Sequence, residues 1–308
     1  MGPEPAIAKP HSLSHMLTFD VEEYFHAEAA AEGGVQPDQW NGLQKRLQPC
    51  VERILQLLSD HGASATFFVL GWVARYERKS VRSIAAAGHE IASHGMAHSM
   101  LGRLTPAQFA SELLDSRKLL EDISGRPVTG YRAPTFSVTH ETAWAIDVLA
   151  ETGYQYDSSV YPIRHDRYGV PDAPRGIHRA VGPGGGSVVE IPPLTVRMAW
   201  TNWPVGGGGY LRLLPVGLLA RALRAAQRRG QPGMIYLHPW EFDPGQPVLP
   251  MSPLSRWRHR VNLERTERKL EWLLGRFDFS AVRRAVETSN LGAADSYRMG
   301  APVDPSRS

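Results

Sequence analysis

Short apolar runs alternate with amphipathic stretches along most of this 308-residue chain. Met16-Leu17-Thr18-Phe19 is an apolar run closing on a charge, Asp20, and reads as a buried strand with a polar end. Residues 65–69, 89–93, 128–132, 154–157, 188–191 and 234–237 repeat that form. Helical spacing fills the gaps, and a glycine follows each stretch: 43–61 before Gly62, 72–87 before Gly88, 105–124 before Gly125, 139–151 before Gly153 and 213–229 before Gly230. Thr105 reads as an N-cap with Pro106 at the first helical position. Strand and helix in alternation predict parallel βαβ units.

Asp20, His94, Arg132, Asp157 and His238 all stand at or just past the C-terminal end of a predicted strand. In a parallel barrel those ends converge on one face, where active sites are built. Five such groups on five ends make that face the candidate site.

Composition narrows the chemistry. Hydrophobic residues are 42% and charged residues 21%, ordinary globular usage that excludes a disordered or collagen-like chain. The single Cys50 excludes an intramolecular disulfide framework and a cysteine-rich zinc site, so a metal would need His, Asp and Glu. Cys50 itself lies in an apolar helical pattern and reads as a buried, inert thiol. A net charge of +3 and no helix-turn-helix or zinc-finger pattern argue against nucleic acid. No run of 18 apolar residues is present, so no membrane span is expected. With no secretory leader visible, the cytoplasm is the expected compartment.

Two clusters carry metal chemistry. In Ser93-His94-Gly-Met-Ala-His98 two imidazoles four residues apart suit one divalent ion. Asp20-Val21-Glu22-Glu23 offers a carboxylate ligand and a second carboxylate to accept a proton. Alternation puts Asp20 and Glu22 on one side and Glu23 on the other if the extended conformation persists.

Thr18-Phe19-Asp20, His94-x3-His98, Arg132-x-Pro134, Asp157 and Leu237-His238 stand in the order of the five motifs of polysaccharide deacetylases. Over residues 16–285 the chain resembles that family, also called NodB-homology or carbohydrate esterase family 4. Stretches 20–25, 131–136 and 236–242 are similar to its branch linked to exosortase and exopolysaccharide loci. The resemblance implies an α/β fold: a deformed (β/α)7 TIM-like barrel of NodB-homology type with a C-terminal helical extension. It implies a divalent metal ion, with zinc the expected one, and a polysaccharide N-deacetylase acting on N-acetyl amino sugars. By that similarity Asp20 is the general base, His238 the general acid, and His94 and His98 are metal ligands. Arg132 would orient Asp20, Asp157 would tune His238, and the backbone N–H of Thr135 would hold the oxyanion.

The family's usual second aspartate is Val21 here, which cannot ligate. Glu22 matches an Asp-x-Asp spacing and becomes the expected third ligand, with Glu23 the alternative. Pro134, Leu237 and Trp203 are expected against substrate. Two rivals remain: an amidohydrolase acting on a small cyclic amide or ureide, and a non-catalytic carbohydrate-binding barrel. Gly206 to Gly209 lack the Lys and Ser/Thr of a phosphate loop and read as a flexible loop lining the site. Residues 1–15 and 286–308 read as loose tails, the first expected to be disordered.

Overall fold

The computed structural model describes residues 13–165 and 167–300, with the backbone alone for Ala293. The strands are β1 (His15–Val21), β2 (Thr66–Val69), β3 (Glu90–Ser93), β4 (Gly130–Tyr131), β5 (Tyr156–Asp157), β6 (His178–Val181), β7 (Ser187–Glu190), β8 (Thr195–Met198), β9 (Thr201–Pro204), β10 (Met234–Leu237), β11 (Phe279–Ser280) and β12 (Ser296–Arg298). The helices are α1 (Glu28–Glu32), α2 (Leu47–Asp60), α3 (Gly71–Tyr76), α4 (Arg78–Ala86), α5 (Pro106–Ser124), α6 (Trp144–Glu151), α7 (Gly208–Leu213), α8 (Val216–Arg228), α9 (Pro253–Arg260), α10 (Thr266–Leu274) and α11 (Val282–Thr288).

Seven parallel strands lie in the order β10-β1-β2-β3-β4-β5-β7. Connecting chain completes the wall between β7 and β10. Leu194 N–H donates to the Met234 carbonyl at 2.9 Å, Gly206 N–H to Leu194 at 3.0 Å, and Tyr236 N–H to Gly206 at 2.9 Å. This is the deformed (β/α)7 barrel. Gly206 and Gly207 pair with β10, and Gly208 opens α7. The glycine run is therefore built into wall and helix and does not form the expected flexible loop.

Alternation sorts the side chains. Leu17, Phe19, Val21, Phe67, Val69, Ile91, Ile235 and Leu237 face the helices in the outer core. Met16, Phe68, Ala92, Tyr156, Ile191, Met234 and Tyr236 fill the barrel interior. Strands buried on both faces read as near-continuous apolar runs, which is why the sequence exposes them so clearly. Each buried Leu or Phe contributes roughly 1.5–3 kcal/mol. Gly130 lets β4 pass flat against the Tyr156 ring, since a Cβ there would lie 1.9 Å from that ring's Cζ. At the N-terminal mouth, Glu90 accepts from Thr66 Oγ1 (2.6 Å), Tyr156 Oη (2.9 Å) and Arg283 N–H (2.9 Å), so the start of α11 closes the barrel floor.

Helix ends follow local chemistry. For α5, Thr105 Oγ1 accepts from Gln108 N–H at 3.3 Å and Gly125 takes a left-handed φ of 66°, as its caps predict. The 72–87 stretch breaks at Glu77 (φ −132°, ψ 44°) into α3 and α4. The 213–229 stretch breaks at Pro215, which has no N–H to give and disfavours helix at Leu214.

The tails differ from expectation where they are described. β1 begins at His15, inside the N-terminal segment expected to be loose, while residues 1–12 lie outside the described residues. Part of the 286–308 segment is ordered, since α11 runs to Thr288 and β12 pairs in parallel with β6; residues 301–308 lie outside the described residues. Among the described residues no helix is long and apolar enough to cross a membrane.

Candidate active site

The C-terminal strand ends gather the predicted groups. Thr18, Asp20 and Glu22 share the inner side of β1 and its extension, as spacing by two requires. Arg132, fully buried just past β4, donates from Nη1 to Asp20 Oδ1 at 2.6 Å and to Thr18 Oγ1 at 2.9 Å. Its Nε and Nη2 donate to the carbonyl (3.1 Å) and hydroxyl (2.8 Å) of Ser158. Phe68 lies 4.0 Å beneath the guanidinium. A buried carboxylate is tolerable only with such a partner, and this one also fixes its orientation.

His94 Nδ1 lies 2.8 Å from the Arg132 carbonyl. A carbonyl only accepts, so Nδ1 carries the proton and Nε2 keeps its lone pair. Burial lowers the His94 pKa to about 4, with Asp20 and Glu22 opposing, so the ring is neutral near pH 7. His98, whose backbone adopts a left-handed φ of 53°, places Nε2 2.9 Å from Glu22 Oε2. Burial alone would raise the Glu22 pKa, but His98, His238 and His94 together hold it well below the usual carboxylate range.

Ligand atoms of Glu22, His94 and His98 lie within 4.8 Å of one another. Glu22 Oε2 is buried, with His98 Nε2 2.9 Å away. Two imidazoles and one buried carboxylate with converging ligand atoms suit a divalent ion. Glu23 goes elsewhere. It faces outward, and its Oε1 accepts from the N–H groups of Arg46 (2.6 Å) and Leu47 (2.9 Å), capping α2.

His238 follows β10 with 21% of its side chain exposed, and its Nε2 lies 3.6 Å from Glu22 Oε1 and 3.9 Å from Asp20 Oδ2. Its Nδ1 lies 3.5 Å from Glu241 Oε2. Burial would lower its pKa, but the Glu241 hydrogen bond and the charges of Glu22, Glu241 and Asp20 lift it to about 9. Glu241 is held in turn by Arg212 at 3.1 Å. A Cβ on Gly208 would lie 1.9 Å from Glu241 Oε2, so α7 must begin with glycine for this contact. Trp240 stacks between His238 and His259, and its Nε1–H donates to Glu22 Oε1 at 3.2 Å.

Two expected residues, Asp157 and Leu237, are placed differently. Asp157 does not face His238. Its neighbour Tyr156 takes the barrel interior, so Asp157 points out, where it accepts from Ser159 Oγ and pairs with Glu190. Glu241 occupies the position expected of it. Leu237 is fully buried in the outer core and presents no surface to substrate, because His238 uses the inward parity. Trp203 is 55% exposed on the β8–β9 hairpin, outside this cluster. Pro134 is buried at the first position of a short 3-10 turn (Pro134–Phe136). Thr135 within that turn has φ 56° and ψ 25°, a rare conformation for a β-branched residue and a mark of local strain.

Sequence reading also missed Ser158, His26 and Glu241. His26 Nδ1 accepts from Glu23 N–H at 3.0 Å, leaving its buried Nε2 without a hydrogen-bond partner. Glu241 carried a legible signal: His-Pro-x-Glu is an N-cap, a proline at N1 and an acid at N3.

Residues 11–156 match the model of the family described as polysaccharide deacetylase, and residues 158–287 match a domain of unknown function, DUF3473. A peptidoglycan deacetylase of Helicobacter pylori is 31% identical over 110 residues, covering 36% of this chain and 36% of that protein. A chitooligosaccharide deacetylase of a Bradyrhizobium species is 30% identical over 101 residues, 33% of this chain and 44% of that protein. The chain thus spans less than half the length of these curated relatives. A solved candidate polysaccharide deacetylase from Mycobacterium smegmatis superposes with a TM-score of 0.61 at 20% identity, covering 93% of each chain, a likeness of fold.

Proposed function

We propose, from the match of residues 11–156 to the polysaccharide deacetylase model, a divalent-metal hydrolase that removes N-acetyl groups from amino sugars of a polysaccharide, in exopolysaccharide assembly. One observation carries the reading. A buried carboxylate clamped by Arg132, a Glu-His-His ligand set and a cationic imidazole meet within about one side chain's reach.

Glu22, His94 and His98 are the residues that would hold the ion. Such an ion supplies Lewis acidity, polarising a carbonyl and bringing the pKa of water near 7. Asp20 is the general base: oriented by Arg132, it accepts the proton of the attacking water. His238 is the general acid, because an amine leaves poorly unless protonated and Glu241 keeps this imidazole charged. Hydroxide joins the acetyl carbon, the C–N bond breaks, and the proton passes to nitrogen, giving acetate and a free amino sugar. The Thr135 N–H, in the first turn of a 3-10 segment where such donors lack intrahelical partners, is the candidate oxyanion donor. The longer stretches 20–25, 131–136 and 236–242 support the exopolysaccharide context. Residues 13–300 form the barrel with its extension in this reading.

The test is acetate release from N-acetylglucosamine oligomers. Release that stops with a chelator and returns with zinc supports the reading. No release from a metal-replete protein overturns it.

A further inference from the structure

The β8–β9 hairpin has its apolar side outward. Its register pairs Thr195 with Pro204, Val196 with Trp203, Arg197 with Asn202 and Met198 with Thr201. Alternation therefore puts Thr195, Arg197, Asn202 and Pro204 on one face and Val196, Met198, Thr201 and Trp203 on the other. The first face is the anchored one. Asn202 is buried and donates from Nδ2 to the Pro162 carbonyl at 2.7 Å, and buried Thr195 accepts from Arg175 through its hydroxyl (3.0 Å) and carbonyl (2.7 Å). Val196 at the base of the second face packs partly against the core, and beyond it Met198 is 58% exposed and Trp203 55% exposed, with Trp200 at the turn 88% exposed. Ala199 holds that turn with a φ of 51°, where glycine is the unstrained choice. A hairpin anchored through buried Thr195 and Asn202 that shows its rings to solvent is built for contact.

The hairpin is continuous with the active site. Both of its stems are tied to β10, Leu194 to Met234 and Gly206 to Tyr236, two residues before His238. Pro162, its other anchor, follows Tyr161, whose ring lies 6.2 Å from Tyr236, and Tyr236 lies 6.1 Å from the His238 ring.

We propose that Trp200, Met198 and Trp203 form a platform on which sugar rings of the polysaccharide stack beyond the unit being deacetylated. The proposal rests on the deacetylase reading above. A pyranose ring presents a flat face of C–H bonds, which fits an indole surface whose edge stays wet. Strands of four residues span about 13 Å, room for more than one ring. A lipid surface fits less well, because the one arginine on the hairpin, Arg197, is turned back onto Ala199 O (3.3 Å) and Asn202 Oδ1 (3.4 Å).

The experiment uses the full chain, W200A/W203A and W200F/W203F, with partially N-acetylated polyglucosamine as the polymer and diacetylchitobiose as the short substrate. Polymer cast into a native gel should retard the wild type and the Phe variant but not the Ala variant. The ratio of kcat/KM on polymer to that on the dimer should fall at least about tenfold in W200A/W203A, the scale of losing two large rings. Equal migration of wild type and W200A/W203A overturns the platform, as does a wild type that is not retarded. Dimerisation, or binding to phosphatidylglycerol vesicles, that depends on these tryptophans without polymer retardation also overturns it. Retardation lost in W200A/W203A, with no acetate released from either substrate, rejects the deacetylase reading and keeps the platform. Acetate release with unchanged retardation does the reverse.

Discussion

The two faces of the barrel wall treat carboxylates in opposite ways. On the inner face Asp20 meets Arg132 and Glu22 meets His98, so both are matched by nitrogen. On the outer face carboxyls meet carboxyls. Glu23 pairs with Glu77, and burial with that like charge raises its pKa to about 8. Asp157 pairs with Glu190, and burial raises both, Asp157 to about 6. Asp157 Oδ2 and Glu190 Oε2 have no other hydrogen-bond partner, which a shared proton satisfies. Buried like charges keep a proton between them, whereas Asp20 is held at hydrogen-bond distance by a guanidinium. The difference separates a set poised for chemistry from a set that seals the wall.

The comparison breaks most sharply at Asp20. Asp20→Asn should keep the metal and cost at least about a hundredfold in kcat, the usual scale for a proton-transfer group. Acetate-release kinetics with metal analysis on the same sample checks this, and undiminished turnover contradicts it. Next comes the contrast between Glu241 and Asp157. Glu241→Gln leaves Arg212 buried without its counter-charge, a loss of roughly 3–5 kcal/mol in denaturant titration. It should also move the alkaline limb of the rate profile to lower pH, since Glu241 helps keep His238 protonated. Asp157→Asn should leave that limb in place, and a matching shift would restore Asp157 as the partner of His238.

The smallest effect concerns stability. Asp157 has a folded pKa above its ordinary value of 3.8, and Glu190 is raised further above its own 4.5. A raised folded pKa gives stability that is fully present below the ordinary value and lost as pH rises through the folded one. Stability should therefore decline from about pH 4 upward through pH 6, and Glu190→Gln should flatten that decline. Melting temperatures across pH 4–8 read it directly, and identical slopes in the two proteins would remove the shared proton.

What the sequence made legible was periodic. Apolar runs marked the barrel strands, and Thr105, Pro106 and Gly125 bounded α5 as their chemistry requires. Of the five groups read at strand ends, Asp20, His94, Arg132 and His238 lie together, with Glu22 and His98 beside them, while Asp157 faces out. Parity across short strands was harder. β5 has two residues, too few for alternation to show whether Tyr156 or Asp157 faces inward. Leu237 was legible in principle, since an inward His238 forces its neighbour outward. The β8–β9 hairpin was not, because its exposed face is apolar and its anchored face polar, the reverse of the usual pattern. The tail strand β12 gains its partner β6 from chain far away in sequence, which no local spacing encodes.

Everything at the inner face depends on Glu22, rather than its neighbour, completing a metal triplet beside Asp20. Elemental analysis of the purified wild type, Glu22→Ala and Glu23→Gln decides it. One divalent ion per chain in the wild type and Glu23→Gln, with none in Glu22→Ala, is the predicted result. An ion retained by Glu22→Ala, or lost from Glu23→Gln with its fold intact, would contradict it.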